Sequence, residues 1–78
     1  MPLIDAFNGM KIYVYYSDHP PPHLHVRYNE FEMQVFIETG KFNEGELPTK
    51  QKRQMKRWLF KYSAWALEVF YKFNPDLK

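Results

Sequence analysis

Residues 48–75 read PTKQKRQMKRWLFKYSAWALEVFYKFNP, and this stretch decides the fold. Within it Met55, Trp58, Leu59, Tyr62, Trp65, Ala66, Val69, Phe70 and Phe73 recur at intervals of three and four. An α-helix returns to the same side about every 3.6 residues, so this spacing defines an apolar stripe sustained for about five turns. Pro48 or the residue after it should open the helix, with Thr49 as the expected N-cap, its hydroxyl accepting from an orphan amide of the first turn. Asn74-Pro75 should close it, because proline lacks the amide that another turn needs. A helix over residues 50–73 is on the order of 35 Å long at about 1.5 Å per residue. Its stripe, with Trp58, Leu59, Tyr62 and Val69 as expected core residues, needs a second apolar surface to lie on.

The residues before it supply that surface. In 3–7, 10–16, 24–28 and 31–37 the apolar residues are short runs of aromatic and β-branched type. Alternation is clearest in Met10, Ile12, Val14 and Tyr16 and in Phe31, Met33, Val35 and Ile37, the period of a strand with one buried face. Asn8-Gly9 tolerates the positive φ angles of a two-residue type I′ hairpin, and Asn29-Glu30 separates two runs at similarly tight spacing. A short piece around residues 41–43 is a candidate edge strand. Three prolines in Ser17-Asp18-His19-Pro20-Pro21-Pro22-His23 fix φ and remove amide donors, making an extended, stiff link. The expected fold is α+β: an antiparallel meander of about four strands packed against one long C-terminal amphipathic helix. Which sheet face the helix covers is left open.

With 78 residues, the chain is one domain, 1–78, with a sheet region over 1–47 and a basic helix and tail over 48–78. Apolar residues make up 45%, enough for a core, which argues against disorder. Without cysteine there is neither a disulfide framework nor a thiolate zinc cage. The start, Met-Pro-Leu-Ile-Asp, has no basic region followed by a hydrophobic stretch, and apolar runs are short. No signal peptide or membrane span is expected, and the lack of cysteine makes a cytoplasmic location the default expectation. Net charge is +2, but unevenly spread: residues 1–47 hold three basic and seven acidic residues, whereas residues 48–78 hold eight basic and two acidic.

The three histidines fall within seven residues, at His19, His23 and His25. If Leu24 begins a strand, His23, His25 and Arg27 project to one side of it. One histidine can then act as base and another as acid, with Arg27 stabilising a charged transition state, as in a metal-independent ribonuclease. The same histidines with Asp18 are also a conceivable zinc complement, although the spacing is no established zinc motif. The structural alternative makes His25 a half-buried strand residue and His19 a loop residue bonded to the backbone. Ser17 and Ser63 lack an adjacent base, and Gly9, Gly40 and Gly45 are too dispersed to cradle phosphate.

Rotating by about 100° per residue from Met55 groups Lys50, Arg53, Arg57 and Lys61 on the wet side of the helix, with Lys52 and Lys56 flanking the seam. No acidic residue lies between Thr49 and Ala66, so these cations have no partner one turn away and repel one another. Such a stripe suits phosphate contact with nucleic acid or docking of an acidic protein. Tyr13, Tyr15 and Phe36 are the aromatics available for base stacking.

Read in order, Met1-Pro2, Asn8-Gly9, Asp18-His19, the block Pro21-Pro22-His23-Leu24-His25-Val26, Thr39-Gly40, Gly45-Glu46-Leu47-Pro48 and Trp58 make the chain resemble the domain of unknown function family 4160, from Met1 to about Phe70. Similar members usually carry Phe at the position of Leu24. Their helix often has His and Glu four and seven residues after the tryptophan, where Tyr62 and Trp65 stand here. The resemblance implies a meander plus helix, and a place beside a second small protein in a pair resembling a type II toxin and antitoxin, with this family as the growth-inhibiting half.

The leading expectation is therefore a toxin-like component acting on RNA or translation, with Lys50, Arg53, Arg57 and Lys61 on phosphate and His19, His23, His25 and Arg27 at the active surface. The alternative is a non-enzymatic module that binds nucleic acid or an acidic protein through the helix, and the second alternative is a His-cluster metal-binding protein. Expected partners are a cognate small antitoxin protein, RNA and a second copy of the chain, without membrane or cofactor.

Overall fold

The computed structural model describes residues 2–16 and 19–78; Met1, Ser17 and Asp18 lie outside the described residues. Five strands run in order: β1 (Leu3–Phe7), β2 (Met10–Tyr13), β3 (His23–Tyr28), β4 (Phe31–Phe36) and β5 (Phe42–Gly45). Helix α1 (Thr49–Phe73) and a short 3-10 turn (Pro75–Leu77) complete the chain. The strands form one antiparallel sheet in the order β1-β2-β3-β4-β5, and α1 packs on one face of it. The expected α+β meander with a long helix is the architecture observed, with β5 as a fifth strand.

Local chemistry accounts for the joints. Asn8 and Gly9 have φ of 49° and 79°, the pair of positive values that a type I′ turn requires. Asn29, at φ 51°, turns β3 into β4. Gly45 has φ 102° and sits where the register of β4 and β5 shifts; a Cβ there would collide with the Glu32 carbonyl oxygen, which accepts the Glu46 amide at 2.9 Å. The proline link contains a cis bond between Pro20 and Pro21.

Register decides the two faces. Ile12 pairs with Val26 and Val26 with Met33, while Leu24 pairs with Val35. Facing residues share a side, so these, with Met10, Val14 and Ile37, form the sheet's contribution to the core. Met55, Trp58, Leu59, Ala66 and Phe70 of α1 close onto them. Full burial of such a side chain contributes about 1.5–3 kcal/mol, so this seam is the main source of stability. Beyond it Asn74 donates from Nδ2 to the carbonyls of Tyr15 and Phe70 at 2.9 and 3.1 Å, tying the end of α1 to the chain after β2.

Several expectations change. The N-cap is Pro48, with no side-chain cap bond, and Thr49 is already helical. Proline supplies the extended φ/ψ of a cap, and its carbonyl accepts the Lys52 amide at 3.0 Å. Strand β2 ends at Tyr13, so the alternation does not carry Tyr16 into the core, and Tyr16 is exposed. Tyr62 is not a core residue; it is 38% exposed on the flank of the apolar stripe, with Trp65 at 42%.

Candidate functional site

The side of α1 turned from the sheet is basic. Lys50, Arg53, Arg57 and Lys61 are all exposed, as the helical rotation predicted, and Lys56 joins them. Lys52 is half-buried; its ammonium and that of Lys56 lie 5.7 and 5.6 Å from the centre of the Phe42 ring, within cation–π range. No acidic residue occupies the first turn, so Lys50, Lys52 and Arg53 stand at the positive end of the helix dipole, where cations are unfavourable. Arg53, Arg57 and Lys61 then follow at four-residue intervals, each repelling the next. The arrangement costs the helix stability, so the stability of α1 does not explain it.

Among these cations stands Phe60, 94% exposed. It is three residues after Arg57 and seven after Arg53, a spacing that places it on the same ridge. The readable signal was that spacing: a phenyl ring off the apolar stripe, in phase with the arginines. Beside it, Ile37, Glu38, Thr39, Gly40, Lys56, Leu59, Phe60 and Ser63 line a groove of about 310 Å³ between the end of β4 and α1. Tyr13, Tyr15 and Phe36, the aromatics expected to be available for stacking, are half-buried instead.

The histidines have a different setting. His23 and His25 are each 5% exposed, their ring centroids 5.0 Å apart. The His25 ring stacks on Tyr15 at 3.8 Å and 6°, and the His23 ring lies 6.4 Å from Phe36 and 6.0 Å from Phe70. Nδ1 of His23 is 2.9 Å from the Pro21 carbonyl oxygen, which can only accept, so Nδ1 carries a proton. His25 is therefore more deeply buried than a half-buried strand residue. His19 is exposed in the proline link. Arg27 lies two residues beyond His25 on β3, paired to Glu32 across the strands at 3.1 Å, and both side chains are half exposed. The structure thus brings His23 and His25 together and turns Arg27 to a carboxylate. Among the described residues no group of three or more His, Asp or Glu side chains is placed to hold a metal ion; Asp18, the carboxylate considered for such a set, lies outside them.

These features define a small α+β protein whose long helix presents a basic, aromatic ridge to solvent. The chain belongs to the family described as domain of unknown function (DUF4160), which matches residues 9–70, as the Pro-Pro-His-x-His block led us to expect. No curated protein and no solved structure matches it. No helix among the described residues is long and apolar enough to cross a membrane.

Proposed function

We propose that the protein is an RNA-binding module and that the solvent-facing ridge of α1 takes single-stranded RNA. The observation that carries this reading is Phe60, 94% exposed between exposed Arg57 and Lys61. A phenyl ring in water forgoes burial, and a ring flanked by cations suits a base stacked on its face with phosphates held on either side. Single-stranded RNA is favoured over an acidic protein because the ridge joins a flat apolar platform to the charges, and every base has a π face to lay on it.

The toxin-like role carries forward in this form: growth inhibition by occupying RNA rather than cutting it. Burial of His23 and His25 and pairing of Arg27 to Glu32 favour a structural role for the three over acid–base chemistry at an open surface. The test is fluorescence anisotropy of a fluorescein-labelled oligouridylate titrated with the protein. Arg53→Glu with Arg57→Glu should abolish binding in a protein that still melts cooperatively, and His23→Ala should retain it. Binding that survives the double reversal, or that disappears with the histidine alone, refutes the proposal.

A further inference from the structure

On the flank of α1 nearest the outer strand, Ile4 and Asp5 of β1 face Tyr62 and Trp65 across an open hollow of about 460 Å³. Trp58 lies beside it, nearly buried, its ring 5.3 Å from that of Tyr62 and 6.2 Å from that of Trp65. Two large rings so exposed on an otherwise buried stripe form an apolar surface with a defined shape.

The hollow also has a fixed anionic pole. Asp5 accepts the Ala6 amide on Oδ1 at 2.8 Å and the Trp58 indole N–H on Oδ2 at 2.7 Å. A carboxylate has about four acceptor positions, so two hydrogen bonds hold it in place and leave capacity for a ligand. Among the described residues no cation pairs with it. Aromatic faces beside an oriented carboxylate are the surroundings that favour a cation, since ring quadrupole and carboxylate attract the same charge. The Lys61 ammonium lies 5.4 Å from the Tyr62 centroid, so an incoming cation must share or displace it at that ring and has the Trp65 face and Asp5 to itself.

We infer that this hollow is a docking site for an arginine side chain presented by a protein partner. A guanidinium is planar and weakly hydrated, stacks on indole and phenol faces, and forks onto a carboxylate, which a lysine ammonium cannot do. A purely apolar occupant would cover Asp5 without satisfying it, and a phosphate would be repelled by it.

The test follows the two tryptophan indole N–H signals by NMR, assigned with Trp65→Phe, while acetyl-Gly-Arg-Gly-amide is added. The expected result is a saturable shift of the Trp65 signal, at least tenfold weaker binding of the citrulline counterpart, which keeps the shape and lacks the charge, and at least tenfold weaker binding of the lysine counterpart. Trp65→Leu, read from the Trp58 indole signal, and, separately, Tyr62→Leu, read from that of Trp65, should each weaken the arginine peptide at least tenfold while keeping wild-type amide dispersion. Equal binding of the citrulline or lysine peptide, no saturable shift, or indifference to both leucine variants overturns the assignment.

Discussion

The indole nitrogen of Trp58 donates a 2.7 Å hydrogen bond to Oδ2 of Asp5, joining helix and outer strand across 53 positions of sequence. The strand β1 is the sheet edge, and this contact helps fix the helix above it. A hydrogen bond to a charged group contributes about 1.5–3 kcal/mol, discounted here because Asp5 is only partly buried. Trp58→Phe, which keeps a ring and removes the donor, should lower unfolding free energy in urea by about 1–2 kcal/mol. A loss under about 0.5 kcal/mol would mean the bond contributes little beyond the ring's packing.

Gly45 and Gly40 both have positive φ, but only Gly45 approaches backbone. A Cβ at Gly40 meets open space, so Gly40→Ala should cost about 1 kcal/mol through the left-handed conformation alone. Gly45→Ala adds collision with the Glu32 carbonyl and should cost at least about 2 kcal/mol, loosening β5 from β4. Amide hydrogen exchange should show the Glu46 amide losing protection in the second variant and keeping it in the first; the reverse order would contradict the register described.

Asn74 is buried and bridges the Tyr15 and Phe70 carbonyls. Asn74→Ala removes both of these hydrogen bonds from a buried position and should destabilise by about 1–3 kcal/mol in thermal or urea unfolding. Asn74→Asp should be no better, because it replaces the donor with a further acceptor.

His23 and His25, both buried, should behave as packing residues. His25→Ala removes the ring stacked on Tyr15, a contact worth about 0.5–1.5 kcal/mol beyond area burial, and should lower the unfolding midpoint without changing oligouridylate affinity. An RNA affinity that falls tenfold in a variant of unchanged stability would place His25 at the binding surface.

Much of the fold is legible because its periods are clean. Met10, Ile12, Val14 and Phe31, Met33, Val35, Ile37 alternate, Asn8-Gly9 specifies its turn, and the helical stripe ends where proline must end it. Period identifies the side of an element that is buried but not how wide the contact is. Trp58, Tyr62 and Trp65 therefore read alike in sequence, whereas the sheet covers Trp58 and leaves the other two on the flank. The cationic ridge is legible for the same reason as the stripe, being its complement on the helix. The setting of His23 and His25 is not, since Phe70 beside His23 and Tyr15 against His25 are brought there by tertiary structure.

The central claim is that α1 binds single-stranded RNA through its cations and Phe60, and the salt dependence of oligouridylate affinity tests it most directly. If Lys50, Arg53, Arg57 and Lys61 each neutralise a phosphate, log affinity against log salt concentration should have a slope of about −3, falling to about half that in the Arg53→Ala, Arg57→Ala protein. Phe60→Ala should weaken binding about five- to a hundredfold while leaving the slope unchanged. A slope near zero, or a slope and affinity indifferent to these three substitutions, would contradict the account.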